Sequence, residues 1–450
     1  MAVVNDMELS IVSTRKRPVP AEHRTNFNNL VFDIAWFGVL NGSAIAFIAV
    51  YATRIGATGL QVSLLTAIPA VINLMFALPA GRWLQDKPIS RATVITAILN
   101  RWFYLIWVIL PLWLAPTAQI WVIVVVTLLM SIPGTALAIS FNALFAAAVP
   151  PDWRAQVVGV RNAAYALSSI LVTLVCGWML NTLPFPLGYQ VVFLIGVIGA
   201  VMSTIHLSFV RPVEGMAFSN GRMRLRDWAE PGIMHTWNAV RTTVGLRFLM
   251  RGSSTTDRPN RWLVPLSDEQ YKHVLVLVFA MHLALYLAIP LFPLALVRQL
   301  GFADNIIAVG NGVFYAALFI GSLQHNAIFQ RLGNRRTMAL GMMVISIYPL
   351  LVSQANGPVL YWIASIMGGL GWSLAGAAVG NYVLQETPED KRPAYLAWYN
   401  IALQAGILLG SLVAPMLASA WSISTALMFA AFCRFLIGIL AWRNQRLRTN

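Results

Sequence analysis

The sequence predicts an all-α integral membrane protein with twelve transmembrane helices in two pseudo-symmetric six-helix bundles. Three observations predict it. Hydrophobic residues are 58% of the 450 and charged residues 10%, with a mean hydropathy of +0.70, whereas a soluble domain carries about 25% charged residues. Apolar runs of roughly 20 residues, the length a spanning helix needs, recur along the chain. The second half also echoes the first. Pro150-Pro151-Asp152-Trp153-Arg154-Ala155, followed by Asn162, returns as Pro388-Glu389-Asp390-Lys391-Arg392-Pro393-Ala394, followed by Asn400, with the Asp-to-Asn and Arg-to-Asn spacings kept. Arg54-Ile55-Gly56 returns as Arg298-Gln299-Leu300-Gly301. Such a duplication in a membrane protein points to a transporter with its substrate site between the two halves.

The runs, in order, are 30–51, 60–80, 92–114, 119–148, 157–180, 188–210, 273–297, 305–329, 337–354, 357–384, 394–418 and 421–442. They are continuous rather than alternating, so they read as helices and not as strands of a barrel. Pro69, Pro133, Gly368, Gly369 and Pro415 interrupt several of them, which bundled membrane helices tolerate. The organisation expected is an N-terminal arm (1–27), a first bundle (28–210), a basic linker (211–272), a second bundle (273–442) and a tail (443–450). Within the linker, Gly232 to Arg251 mixes Ile233, Trp237, Val240, Val244 and Phe248 with Arg241, Arg247 and Arg251. That pattern suits a basic amphipathic helix on the inner leaflet, or a plain tether.

Charge placement gives the topology. Of the 31 Lys and Arg, Arg54 and Arg298 fall in the loops after runs 1 and 7, and Arg101 and Arg434 fall inside runs. The others are assigned to the arm, the even-to-odd loops, the linker and the tail. Cytoplasmic loops hold such an excess. A multi-pass protein of the inner (plasma) membrane is therefore expected, with both termini cytoplasmic. The net charge of +15 follows from this topology and calls for no nucleic-acid partner. The arm lacks the short apolar core of a signal peptide. Cys176 and Cys433 both sit within runs and suggest neither a disulfide nor a metal site.

Gly81-Arg82-Trp83-Leu84-Gln85-Asp86-Lys87-Pro88-Ile89-Ser90-Arg91 follows run 2, and Gln330-Arg331-Leu332-Gly333-Asn334-Arg335-Arg336 follows run 8. With twelve helices and a long middle loop, these stretches resemble the signature Gly-x-Leu-x-Asp-Arg-x-Gly-Arg-Arg of the major facilitator superfamily. The resemblance covers about residues 28–445. The first copy keeps Leu84, Asp86, Lys87 and Arg91 but loses both glycines; the second replaces the Asp by Gln330. The resemblance implies a cytoplasmic gate formed by Asp86, Arg91, Arg154, Arg335, Arg336 and Arg392, with Asp86 facing the start of helix 11. A carboxylate beside a helix N-terminus and basic groups gains energy only while those ends meet; a solvated loop serving topology alone is the alternative.

The same resemblance implies that helices 1, 4, 7 and 10 line a central cavity. Its candidates are Asn41, Asn142, His282, Tyr286, Trp372 and Asn381, with Gln404 and Asn400 reaching in from helix 11. These groups hydrogen-bond and stack but carry few fixed charges, which suits an uncharged or amphipathic small molecule. Alternatively they hold helices together.

Ionisable groups inside a bilayer point to function. Asp33 and Arg101 are the coupling candidates. Asp33 reads as a proton-coupling carboxylate, a static partner of a membrane arginine, or a group reaching back to the interface. Arg101 should meet a carboxylate, carbonyls or water. No P-loop or metal-ligand spacing is present, so neither cofactor nor catalytic residue is expected. The function expected is secondary active transport by alternating access in a monomer, as a proton-coupled exporter. A pigment- or lipid-delivery or assembly protein on the same fold, and a membrane-embedded enzyme, are the rival readings.

Overall fold

The length and apolarity of each run dictate its conformation, because in hydrocarbon every backbone N–H and C=O must be satisfied within the segment. A computed structural model describes residues 20–85, 87–213, 264–388 and 392–443. Twelve helices within them are long and apolar enough to cross a membrane. They are α1 (His23–Arg54), α2 (Gly59–Ala77), α3 (Ile89–Trp113), α4 (Pro116–Ala148), α5 (Pro151–Thr182) and α6 (Leu187–Ser208), then α7 (Glu269–Gln299), α8 (Asp304–Leu323), α9 (Ala327–Ser353), α10 (Pro358–Gln385), α11 (Ala394–Ala420) and α12 (Ile423–Arg443). No strand occurs among the described residues. Proline opens α4, α5 and α10, where a helix has no use for the missing N–H. Asp268 caps α7 by accepting from the Tyr271 amide at 3.1 Å, as short acidic side chains do.

α1 through α6 pack chiefly on one another, as do α7 through α12. In the first half α1 lies against α5 and α6, and α4 against α2 and α3. In the second half α7 lies against α11, α8 against α10, and α9 against α10 and α12. Small residues bring backbones close: Thr173 donates to the Gly42 carbonyl at 3.0 Å and Ser169 to that of Gly38 at 3.3 Å, the contact that drives helix association in lipid. The outer faces carry large exposed apolar groups such as Trp113, Met75, Leu323 and Met416. That pattern belongs to a lipid-facing surface.

The halves meet chiefly through two helix pairs, α2 with α11 and α5 with α8, and α1 also touches α7 beside the loops that follow them. An even number of crossings puts Ala21 and Arg443 at one end of the bundle. The loops after α1 and α7 lie at the other end, called here the far end. A shared core seals it: Val50, Ala57 and Val62 pack with Leu287, Leu291, Leu294 and Phe302.

Two boundaries differ from the sequence expectation. The first helix begins at Ala21, before the apolar run, because His23 and Asn26 are buried in the bundle. Asp33 is thereby twelve residues into the helix, about 18 Å at 1.5 Å per residue. Run 8 overshoots, since the helix ends at Leu323 and the apolar residues Ala327–Phe329 belong to the next one. The amphipathic stretch expected at 232–251 lies outside the described residues.

Candidate substrate pathway and gates

Asn41 opens a π-helical turn, Asn41–Ile45, in α1, and such single turns recur at functional positions. Its side chain crosses between the halves, donating to the Tyr315 hydroxyl of α8 at 2.9 Å and to Ser169 of α5 at 3.5 Å. Tyr165 of α5 meets Tyr315 edge-on, with ring centroids 6.4 Å apart. Tyr165, Ser169 and Tyr315 stand on α5 and α8, outside the helices 1, 4, 7 and 10, with α11, to which the resemblance assigns the lining groups.

The other cavity candidates stand on α4, α7, α10 and α11. Asn142, His282, Tyr286 and Gln404 are buried, while Trp372 and Asn381 are half-buried. The His282 ring nitrogen Nδ1 lies 2.8 Å from the Val278 carbonyl on its own helix. Asn400 is also buried, at 2% exposure.

Asp33 and Arg101 come together, joined by a residue the charge assignment had placed with the loops. Arg161 stands on α5, within the span. The Asp33 carboxylate lies 3.7 Å from Arg101 and 3.6 Å from Arg161, and accepts from the Ser203 hydroxyl at 2.6 Å. Arg101 also donates to Thr204 at 2.7 Å and to the Ala200 carbonyl at 3.4 Å. Arg161 donates to the Leu30 carbonyl at 2.7 Å and its guanidinium sits 4.8 Å from the Phe141 ring centroid. One carboxylate therefore serves two guanidiniums, all three side chains being nearly inaccessible. The charges are thereby compensated in part: each guanidinium has the carboxylate and hydrogen-bond acceptors within reach, while the Nε of Arg101 and that of Arg161 have no partner. Arg434 in α12 is buried too, and donates instead to the carbonyls of Ala284, Leu285 and Ile345 at 3.2, 2.7 and 3.3 Å. Two of those carbonyls close the straight part of α7, just before its helix breaks.

At the termini end, Asp86 and the side chain of Arg392 lie outside the described residues, and Arg91 is exposed. Arg154 donates to the carbonyls of Val149 and Ala146 at 3.1 and 3.0 Å, which caps the end of α4. Arg335 donates to the Ala441 carbonyl at 2.9 Å, and Arg336 lies 5.8 Å from the Trp442 ring centroid. These two hold the end of α12.

The far end holds a contact that does bridge the halves. Arg54 donates to Asp304 Oδ1 from Nε at 3.0 Å and from Nη2 at 2.8 Å, and to the Phe302 carbonyl at 2.5 Å. Arg298 donates to the Ala57 carbonyl at 2.5 Å. Gly56 and Gly301, at φ 99° and 62°, turn the two loops through a backbone region that L residues rarely adopt. Each arginine thus grips the carbonyl just after the other loop's glycine. The sequence echo at Arg54 and Arg298 is the signal for this clasp, although by itself it marks only the duplication.

Comparison with known proteins agrees with this architecture. No curated protein sequence matches the chain. The solved structure of the nucleoside transporter NupG superimposes with a TM-score of 0.63 at 12% identity, covering 92% of this chain and 98% of that one. The xylose transporter XylE from E. coli, in a partially occluded inward-open conformation, gives 0.63 at 13%, covering 94% and 97%. A bacterial homologue of the iron transporter ferroportin, in an inward-facing state, gives 0.64 at 13%, covering 93% and 98%. At such identities the likeness speaks for the fold. The family model described as Major Facilitator Superfamily matches residues 31–256 and 274–449, across both halves, and the chain belongs to that superfamily of membrane transporters.

Proposed function

We propose that this protein is a secondary transporter of a small uncharged or amphipathic molecule, working by alternating access between the α1–α6 and α7–α12 bundles. The far-end clasp carries the reading. Two duplicated loops bind each other's backbone over a shared apolar core, and this makes a gate that can part without unfolding either bundle. With the termini cytoplasmic, as the excess of Lys and Arg at that end favours, the far-end-closed arrangement is inward-facing. Uncharged cargo is supported by the candidate groups between the bundles, Asn41, Tyr165, Ser169 and Tyr315, which offer hydroxyls, an amide and aromatic faces. A neighbouring fold is that of a proton:xylose symporter. Proton coupling through Asp33 and export from the cell complete the proposal.

The test is thermal unfolding of the purified protein against sugars, nucleosides, amino acids, drugs and lipids. A ligand bound only by the folded state raises the midpoint by mass action. A saturable rise with an uncharged compound supports the reading; a rise confined to anionic or cationic compounds overturns the substrate class. Flux of the hit in oriented vesicles then fixes direction and pH dependence.

A further inference from the structure

The seam between α2 and α11 joins the two halves along antiparallel helices. Toward its far-end side it is closely packed: Thr66 donates to Ser411 at 2.9 Å, Gly59 approaches Pro415, and Ala70 is buried among residues of the second half such as Leu403 and Ile407, while the buried Ser63 hydroxyl there lacks a partner. Helical periodicity continues this face toward the termini. Asn73 lies two turns beyond Thr66 on α2, and Gln404 and Asn400 lie two and three turns from Ser411 on α11. The antiparallel register brings Asn73 and Asn400 to within about a turn of the same level.

Here the seam is incomplete. Asn400 is 2% exposed, and neither its Nδ2 nor its Oδ1 has a hydrogen-bond partner. Asn73 spends its Nδ2 on the Pro69 carbonyl of its own helix at 3.0 Å, and its Oδ1 has no partner. Buried polar groups are nearly always satisfied, and an orphaned amide destabilises the state that contains it. At 2% exposure Asn400 is shut off from the surface, and the nearest side-chain amide facing it from the other half along the seam is that of Asn73.

We propose that Asn400 is a state-selective hydrogen-bonding residue, orphaned while the far end is closed and paired across the seam with Asn73 when the far end opens and the termini-side halves come together. Thr66 and Ser411 form the opposing rung, made in the far-end-closed state. The seam thereby penalises the state described here and keeps the transporter from resting in it. This inference depends on the alternating-access reading above.

The test uses spin labels at Thr58→Cys and Ala303→Cys, two exposed positions on opposite sides of the clasp, with Cys176 and Cys433 replaced by Ala, in lipid nanodiscs. Two distance populations, short and long, report the closed and open far end. A single population under all conditions sinks alternating access, and this proposal with it. Given two populations, Asn400→Ala should raise the closed-to-open ratio by roughly tenfold, and Thr66→Ala should lower it. In the Asn73→Ala/Asn400→Ala double variant the change should fall short of the product of the two single changes, because both singles break one bond. An unchanged ratio in Asn400→Ala, or a shift toward open, overturns the state-selective role. Singles that multiply in the double overturn the pairing with Asn73 while leaving alternating access intact.

Discussion

Asp33 is bound on every side the structure describes: two guanidiniums, a serine hydroxyl, and the packed faces of α1, α3, α5 and α6. Removing one member of a buried charged network leaves the others uncompensated, which costs about 3–5 kcal/mol. Asp33→Asn should therefore lower the thermal midpoint markedly, and a midpoint within a degree of the unmodified protein would contradict the network. A stability loss does not by itself decide coupling. The separating measurement is flux in vesicles, where a coupling carboxylate predicts loss of pH-driven uphill transport with substrate exchange retained. Unchanged pH-driven flux in Asp33→Asn assigns the residue to structure alone. Asp33 and Arg101 were legible as charges inside apolar runs. Arg161 was not, because it stands four residues into its apolar run beside a basic loop, and its partner is far away in sequence.

Helices were legible because the bilayer forces each apolar run to satisfy its own backbone. Their ends were less so, since hydropathy cannot tell the first turn of α9 from the last of α8. Contacts between helices were legible only in part: the Gly406-xxx-Gly410 spacing on α11 marks a close packing face, and both glycines lie against α7, but a lone glycine such as Gly177 carries no such signal. Gly177 of α5 faces Ala308 of α8 across the two halves, with no room for a side chain, and Gly410 of α11 is as tightly set against the Leu283 carbonyl of α7 within one half. The two should respond differently to added volume. Gly410→Leu overpacks the interior of a bundle and should lower stability by about 1–3 kcal/mol. Gly177→Leu sits where the halves part, so the far end can relieve it by opening. The expectation is a near-normal thermal midpoint with loss of the closed population at the Thr58/Ala303 label pair. Equal destabilisation by both would mean that the α5–α8 contact never separates.

At the scale of the whole molecule, duplication was legible and the direction of closure was not, because one sequence encodes both states of a rocking pair. The gate expected at the termini end turns on Asp86 and the side chain of Arg392, which lie outside the described residues; the clasp described between the halves is at the far end. The clasp is symmetric in its backbone contacts and asymmetric in charge: Arg54 has Asp304 as partner, whereas the first loop offers Gly59 at the corresponding place. A partly exposed ion pair contributes modestly and is screened by salt; a guanidinium on a carbonyl is screened less. Arg54→Ala, which loses both kinds of contact, should therefore open the far end more than Arg298→Ala. Asp304→Asn should fall between the unmodified protein and Arg54→Ala, and raising ionic strength should erase most of its difference from the unmodified protein while leaving the Arg298→Ala effect in place. Distance populations at the far-end label pair, read at low and high salt, decide this. Equal opening by Arg54→Ala and Arg298→Ala at low salt would show that the two backbone grips hold the gate and that the Asp304 pair adds nothing to them.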